Sequence, residues 1–87
     1  MVVYTLELSA DARSDLRHLD AAIRRRVRNH LTQLCETCDQ RPHKALRGEH
    51  KGKFSLKVAK HYRILYTFDR RTKVINVSRI RHRSKVY

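Results

Sequence analysis

The sequence predicts an α+β fold with the element order β-α-α-β-β-β, an antiparallel sheet with an N-terminal helical hairpin packed on one face. Three observations carry this prediction. Apolar residues alternate near the N-terminus, recur at helical spacing from Ala12 to Cys38, and return to a period of two from Lys53 onward. One domain spanning residues 1–87 is expected, because a chain of this length has room for a single small core.

Residues 2–8 form the first expected strand, with Val3, Thr5 and Glu7 on one side and Val2, Tyr4, Leu6 and Leu8 on the other. Ser9 suits the N-cap of a first helix, and Asp11 suits its first turn, where a carboxylate complements the helix dipole. Ala12, Leu16 and Leu19 give that helix a narrow apolar stripe. Asp20 is the next N-cap. Behind it, Ile23, Val27, Leu31, Leu34 and Cys38 trace the apolar face of a longer helix. Its outward face carries Arg24, Arg25, Arg26 and Arg28. Solvation is the plain reading of that face, and non-specific contact with RNA is the alternative. Pro42 biases Arg41 toward extended backbone and closes the helical part.

Residues 46–52 form a polar connector with glycine near its start and at its end. Phe54, Leu56 and Val58 then face one way, Ser55 and Lys57 the other. Residues 62–68 are apolar on both faces except for Arg63 and Thr67, as in a central strand. Residues 69–72 form a hairpin turn, and 73–80 its return strand, rich in β-branched residues. The chain then enters a basic run ending in tyrosine: Arg81, His82, Arg83, Lys85, Tyr87.

Charge is the strongest global signal. The net charge is +13, and Asp69 is the only acid after Glu49. Such asymmetry implies a polyanionic partner, nucleic acid before an acidic protein. No apolar run approaches the roughly 20 residues of a membrane span, and the N-terminus lacks a basic region before an apolar one. A soluble, cytoplasmic protein with no membrane partner is therefore expected. Cys35 and Cys38 form a lone C-x-x-C late in a helical pattern. One pair falls short of a zinc site, even with His30 and His43 near in sequence, and buried helix residues are the simpler reading.

Arg63 is the informative residue. A guanidinium in an apolar strand needs a partner or an open groove, since an unpaired buried charge is very costly. It pairs with Asp69 or Glu7, or it points out of the uncovered face beside Lys57 and the basic tail; the second reading is favoured. No carboxylate cluster could hold two Mg²⁺, and there is no phosphate loop or nucleophile elbow. No metal or cofactor is expected. Cations, a histidine and tyrosines suit one phosphodiester reaction, attack of an RNA 2′-hydroxyl on its neighbouring phosphorus. It needs a base, cations for the crowded oxygens and an acid for the leaving 5′-oxygen.

Leu46-Arg47-Gly48, the stretch from Phe54 to Val58, the Tyr62-Arg63-Ile64-Leu65-Tyr66 strand and the ending from Arg79 to Tyr87 together resemble the RelE toxins of toxin–antitoxin pairs. The resemblance covers about half the chain, and the preceding strand and hairpin fit the same RelE-like plan. It implies a metal-independent, ribosome-dependent endoribonuclease, an mRNA interferase that cuts mRNA in the A site and is inhibited by a cognate antitoxin in a hetero-oligomer. Residue by residue, Lys57 matches a catalytic lysine, Arg63 the phosphate-binding arginine, Arg81 the proposed general acid and Tyr87 the proposed base. His82 is an alternative base, and His82 or Arg83 an alternative acid. Lys51, Lys53, Arg79 and Lys85 extend the RNA-binding surface. One departure is Ser55, which stands where well-studied members carry another lysine. The rivals are a ParE-like toxin acting on DNA gyrase without RNA cleavage, and a non-catalytic basic RNA-binding domain.

Overall fold

Ser9 and Asp20 open the two helices as their side chains dictate. In the computed structural model, which describes residues 3–85, the Ser9 hydroxyl accepts from the Ala12 N–H at 3.0 Å and the Asp20 carboxylate from the Ile23 N–H at 3.0 Å. They cap α1 (Ala10–Arg17) and α2 (Ala21–Thr37). The end of α1 is satisfied from α2. Arg24 donates to the carbonyls of Leu16, Arg17 and Leu19, at 3.3, 3.4 and 2.8 Å. The expectation that Arg24 shares an outward basic face with its neighbours is thus corrected: its guanidinium fills the orphan carbonyls of the helix before it. Arg25, Arg26 and Arg28 are exposed.

The strands are β1 (Thr5–Leu8), β2 (Lys44–Ala45), β3 (Phe54–Val58), β4 (Tyr62–Asp69) and β5 (Val74–His82), in the spatial order β1-β5-β4-β3-β2. The expected wholly antiparallel sheet is corrected at one edge, where β1 runs parallel to β5, Thr5 beside Val74 and Leu8 beside Val77. Alternation reports which face a residue takes, but not the direction of a partner reached through the whole chain. Other differences are local. β1 starts at Thr5 rather than Val2, and Val2 lies outside the described residues. The two-residue β2 had no pattern to reveal it, since Lys44 and Ala45 are both exposed. β5 runs to His82, so the first part of the basic run is strand rather than tail.

A bulge in β5 decides which face its side chains take. Leu65 pairs with Arg79 but Tyr66 with Val77, leaving Ser78 as the extra residue. The Ser78 hydroxyl donates to the Leu65 carbonyl at 3.2 Å, and its own carbonyl accepts from the Ser9 hydroxyl at 2.9 Å. In an unbroken strand Val77, Arg79 and Arg81 would share one face. With the bulge, Ile75, Val77 and Ile80 all join the core, and Arg79 and Arg81 take the other side.

That core lies between sheet and helices: Val27, Leu31, Leu34, Cys35 and Cys38 from α2 and its end, against Val58, Ile64, Tyr66, Ile75, Val77 and Ile80. Each fully buried aliphatic side chain contributes roughly 1.5–3 kcal/mol. The cysteines are packing residues here, and burial raises both thiols above their ordinary range. Polar groups within the core are paired. Tyr66 donates to His43 Nδ1, and His43 Nε2 donates to the Cys38 carbonyl at 2.8 Å. Tyr4 donates to Asp39 at 2.6 Å, and Lys73 pairs with the same carboxylate at 3.3 Å. The bond from Tyr4 holds the Asp39 carboxyl below its usual range, while burial pushes the Tyr4 phenol up. No helix among the described residues is long and apolar enough to cross a membrane.

Candidate nucleic-acid interface

The sheet face away from the helices carries a line of cations. Lys57 on β3 is paired with Arg63 on β4, and Arg63 with Arg81 on β5. Directly opposed residues on one face have Cβ atoms about 4.5–5.5 Å apart. The row therefore spans about 10 Å, two strand spacings. Like charges set opposite one another destabilise a sheet, and among the described residues no acid forms an ion pair with any of the three. Lys57 is exposed, while Arg63 and Arg81 are half-buried.

Arg63 meets neither of the acids considered for it. Asp69 is occupied by the N–H groups of Arg71 and Thr72, at 2.8 and 3.4 Å, in the β4–β5 turn. Instead the Arg63 guanidinium donates to the carbonyls of Tyr62 at 3.0 Å and Lys60 at 3.3 Å. Both contacts come through Nη1.

Around this row the other candidates divide. Arg79 is committed elsewhere: its guanidinium makes a two-pronged pair with Asp15 of α1, Nε–Oδ2 at 2.9 Å and Nη2–Oδ1 at 3.0 Å, and reaches Asp11 at 3.5 Å. Asp15 also accepts from the Ile80 N–H at 3.0 Å, so this carboxylate locks α1 onto the edge of β5 that β1 leaves free. His82 pairs with Tyr62 across the sheet and so takes the helix-side parity, opposite to Arg81. Its Nδ1 accepts from the Ser84 N–H at 3.2 Å. Arg83 is exposed and opens a 3-10 turn, Arg83–Lys85, of which the Lys85 side chain is not described. Tyr87, the expected base, lies outside the described residues.

The connector before β3 folds over part of the cation face. Leu46 is buried against Leu65, and the Leu46 N–H donates to the Lys53 carbonyl at 3.0 Å. Ser55 is buried beside them, 7% exposed, paired with Lys44 and Leu65. A lysine at this position would displace that packing. Lys51 is exposed and Lys53 half-buried, one residue ahead of β3 at the parity of Ser55 and Lys57. Among the described residues no group of three or more His, Cys, Asp or Glu is placed to hold a metal ion. On the other side of the molecule, an apolar groove of about 590 Å³ runs between β1 and α2, lined by Val3, Leu6, Leu8, Leu16 and Leu31 with Arg28 and Glu36 among its polar members.

A two-helix layer on a five-stranded sheet is an architecture shared with small toxins. The model of the ParE toxin family, the toxin of the type II toxin–antitoxin system parDE, matches residues 6–87. The chain is 32% identical to one in the RelBE2 toxin–antitoxin complex of Mycobacterium tuberculosis, with a TM-score of 0.80 over 94% of this chain and 100% of that one. It shares its fold with a chain of the E. coli RelBE complex (23% identity, TM-score 0.73, 88% and 93% covered) and with the YoeB/ParE toxin of Agrobacterium tumefaciens (16%, 0.74, 90% and 96%). No curated protein sequence matches. The chain belongs to the RelE/ParE superfamily and is a toxin of the type II toxin–antitoxin class.

Proposed function

We propose that this toxin is a metal-independent endoribonuclease that cuts mRNA on the ribosome. The observation that carries the reading is the row Lys57–Arg63–Arg81, three cations in cross-strand register without acid partners among the described residues. Holding them together costs stability, and a bound phosphate offsets that cost. In the proposed reaction the RNA 2′-hydroxyl loses its proton to a base and attacks the adjacent phosphorus. The bond to the 5′-oxygen breaks, and that oxygen takes up a proton. Lys57 and Arg63 hold the phosphate and stabilise the charge growing on its oxygens. Arg81, with Arg83 in the turn that follows β5, protonates or neutralises the leaving oxygen. Tyr87 is the assigned base; a phenol of reference pKa about 10 needs such neighbouring cations to ionise near neutrality. The wider basic surface, including Lys51, Lys53 and Lys85, docks on ribosomal RNA with strong salt dependence.

The inhibitory partner is an antitoxin, as in the RelBE and RelBE2 complexes whose chains this one resembles. The apolar groove beside β1 suits the apolar face of such a partner. The setting is the cytoplasm, where ribosomes and mRNA are. A second reading is favoured by the ParE family match: inhibition of DNA gyrase through protein contacts, without RNA cleavage. Inducing wild type, Arg63→Ala and a variant lacking Tyr87, while mapping 5′ ends on translated mRNA, separates the two. Growth arrest with cuts in reading frames, both lost in the variants, supports the nuclease. Arrest that persists in the variants without cuts supports the gyrase reading.

A further inference from the structure

The cation row lies next to an unusual turn. Between β3 and β4, Ala59 and Lys60 both take left-handed backbone, φ +51° and +67°, a conformation that single non-glycine residues seldom adopt and that two in succession hold only when neighbours enforce it. The enforcing contacts are visible. Arg63 bonds the carbonyls of Lys60 and Tyr62, and the Arg83 N–H donates to the His61 carbonyl at 2.6 Å. The turn delivers His61, which is exposed, flat against His82, with ring centroids 5.7 Å apart and planes 16° apart. His82 in turn meets the edge of Tyr62 at 5.4 Å and 82°. Ser84 fixes the His82 ring through its N–H and hydroxyl, at 3.2 and 2.8 Å from Nδ1. The product is a ladder of three rings, Tyr62, His82 and His61, whose outermost member faces solvent.

We propose that the His61–His82 pair is a nucleobase-stacking site for the nucleotide whose phosphate lies on the cation row. This rests on the RNA-cleavage reading above and extends it from phosphate to base. The pairing Val58–Tyr62–His82 is the next rung along the sheet from Lys57–Arg63–Arg81, a rise of about 3.3 Å. The two sets leave opposite faces at the same end of the sheet. A base and its own phosphate are several ångströms apart, so one nucleotide reaches around the strand ends to touch both. Stacking on an aromatic ring tolerates every base, because each has a π-face. The Arg63 guanidinium, by bonding the turn, couples the two halves of the site.

The test uses ribosomes programmed with synthetic mRNA, either intact or with an abasic nucleotide beside the cut. Wild type, His61→Ala and His61→Phe are compared, with melting curves to check that each is folded. On intact mRNA, His61→Ala is expected to cleave about tenfold more slowly than wild type, and His61→Phe to recover the rate. Removing the base is expected to slow wild type and His61→Phe similarly but leave His61→Ala nearly unchanged. Equal rates for wild type and His61→Ala overturn the stacking site and leave the nuclease standing. Loss in both variants also overturns it, since a ring without nitrogens then fails. No cleavage by wild type overturns the nuclease reading and the stacking site with it.

Discussion

Arg63 and Arg81 stand directly opposite each other on adjacent strands, and neither has an acid partner among the described residues. Selection for stability alone removes such a pair, since facing like charges cost a few tenths of a kcal/mol or more. Arg81→Gln is therefore expected to stabilise the free toxin by about 0.5 kcal/mol in urea denaturation. The same change is expected to lower cleavage by about 10²–10³-fold, the usual effect of losing one charge-stabilising group. A variant both less stable and fully active would assign Arg81 a structural role instead.

Arg63 behaves differently because its guanidinium also secures the turn carbonyls of Lys60 and Tyr62. Arg63→Lys keeps the charge but loses the planar fork. We expect a stability loss of about 1 kcal/mol, the typical net value of a hydrogen bond or two, together with a clear fall in cleavage. Arg63→Lys with wild-type stability would show that the turn stands without it.

Much of this arrangement was legible in the sequence, and the gaps have physical causes. The caps Ser9 and Asp20, the apolar faces of both helices and the outward parity of Lys57 and Arg63 followed from local pattern. Arg63 was readable because a charge in an apolar strand stands out. The commitment of Arg79 to Asp15 was not, since the partners are 64 positions apart. Nor was the His61–His82 stack, which depends on two left-handed residues that carry no glycine to announce them. The closest signal was a histidine in a three-residue loop beside a basic strand. The parallel edge was hidden for a third reason: direction is a property of the path of the whole chain.

Tyr66 gives a prediction for alkaline pH. Burial pushes its phenol up to about 12, whereas in the unfolded chain it ionises near 10. A raised folded pKa means that the neutral form is favoured by the fold. Its stability contribution is whole below about pH 10 and is lost as pH rises toward 12. Tyr66→Phe keeps the ring but loses the bond to His43, so it is expected to cost about 1 kcal/mol at neutral pH. The difference from wild type should shrink between pH 10 and 12. A constant gap across that range in denaturation curves would refute the assignment.

Asp15 is the more sensitive half of its pair with Arg79. Its side chain is 15% exposed, against 32% for Arg79, and it also accepts the Ile80 N–H. Asp15→Ala leaves the Ile80 N–H unpaired and Arg79 with only its longer, exposed contact to Asp11, and should cost about 2 kcal/mol, toward the middle of the range for bonds to charged groups. Arg79→Ala leaves the carboxylate one bond to Ile80 and some access to water, and should cost less. Equal losses in the two variants, measured by thermal or urea unfolding, would contradict this asymmetry.

The bulge at Ser78 makes the sharpest prediction about how sequence sets the site. Ser78→Ala removes only the bond from the hydroxyl to the Leu65 carbonyl and should cost about 1 kcal/mol. Deleting Ser78 is a different perturbation, because the residue removed is the unpaired one. Val77 then joins Arg79 directly, and simple alternation keeps Ile75, Val77 and Ile80 on the core face with Arg79 and Arg81 on the other. What is lost is local: the bonds from the Ser78 hydroxyl to Leu65 and from the Ser9 hydroxyl to the Ser78 carbonyl, about 1–2 kcal/mol together, and the extra twist of the bulge. The deletion is therefore expected to fold with Arg81 still opposite Arg63, read as retained amide dispersion in NMR. An unfolded deletion variant would mean that the twist of the bulge, rather than alternation alone, is needed to seat β5 on the helices.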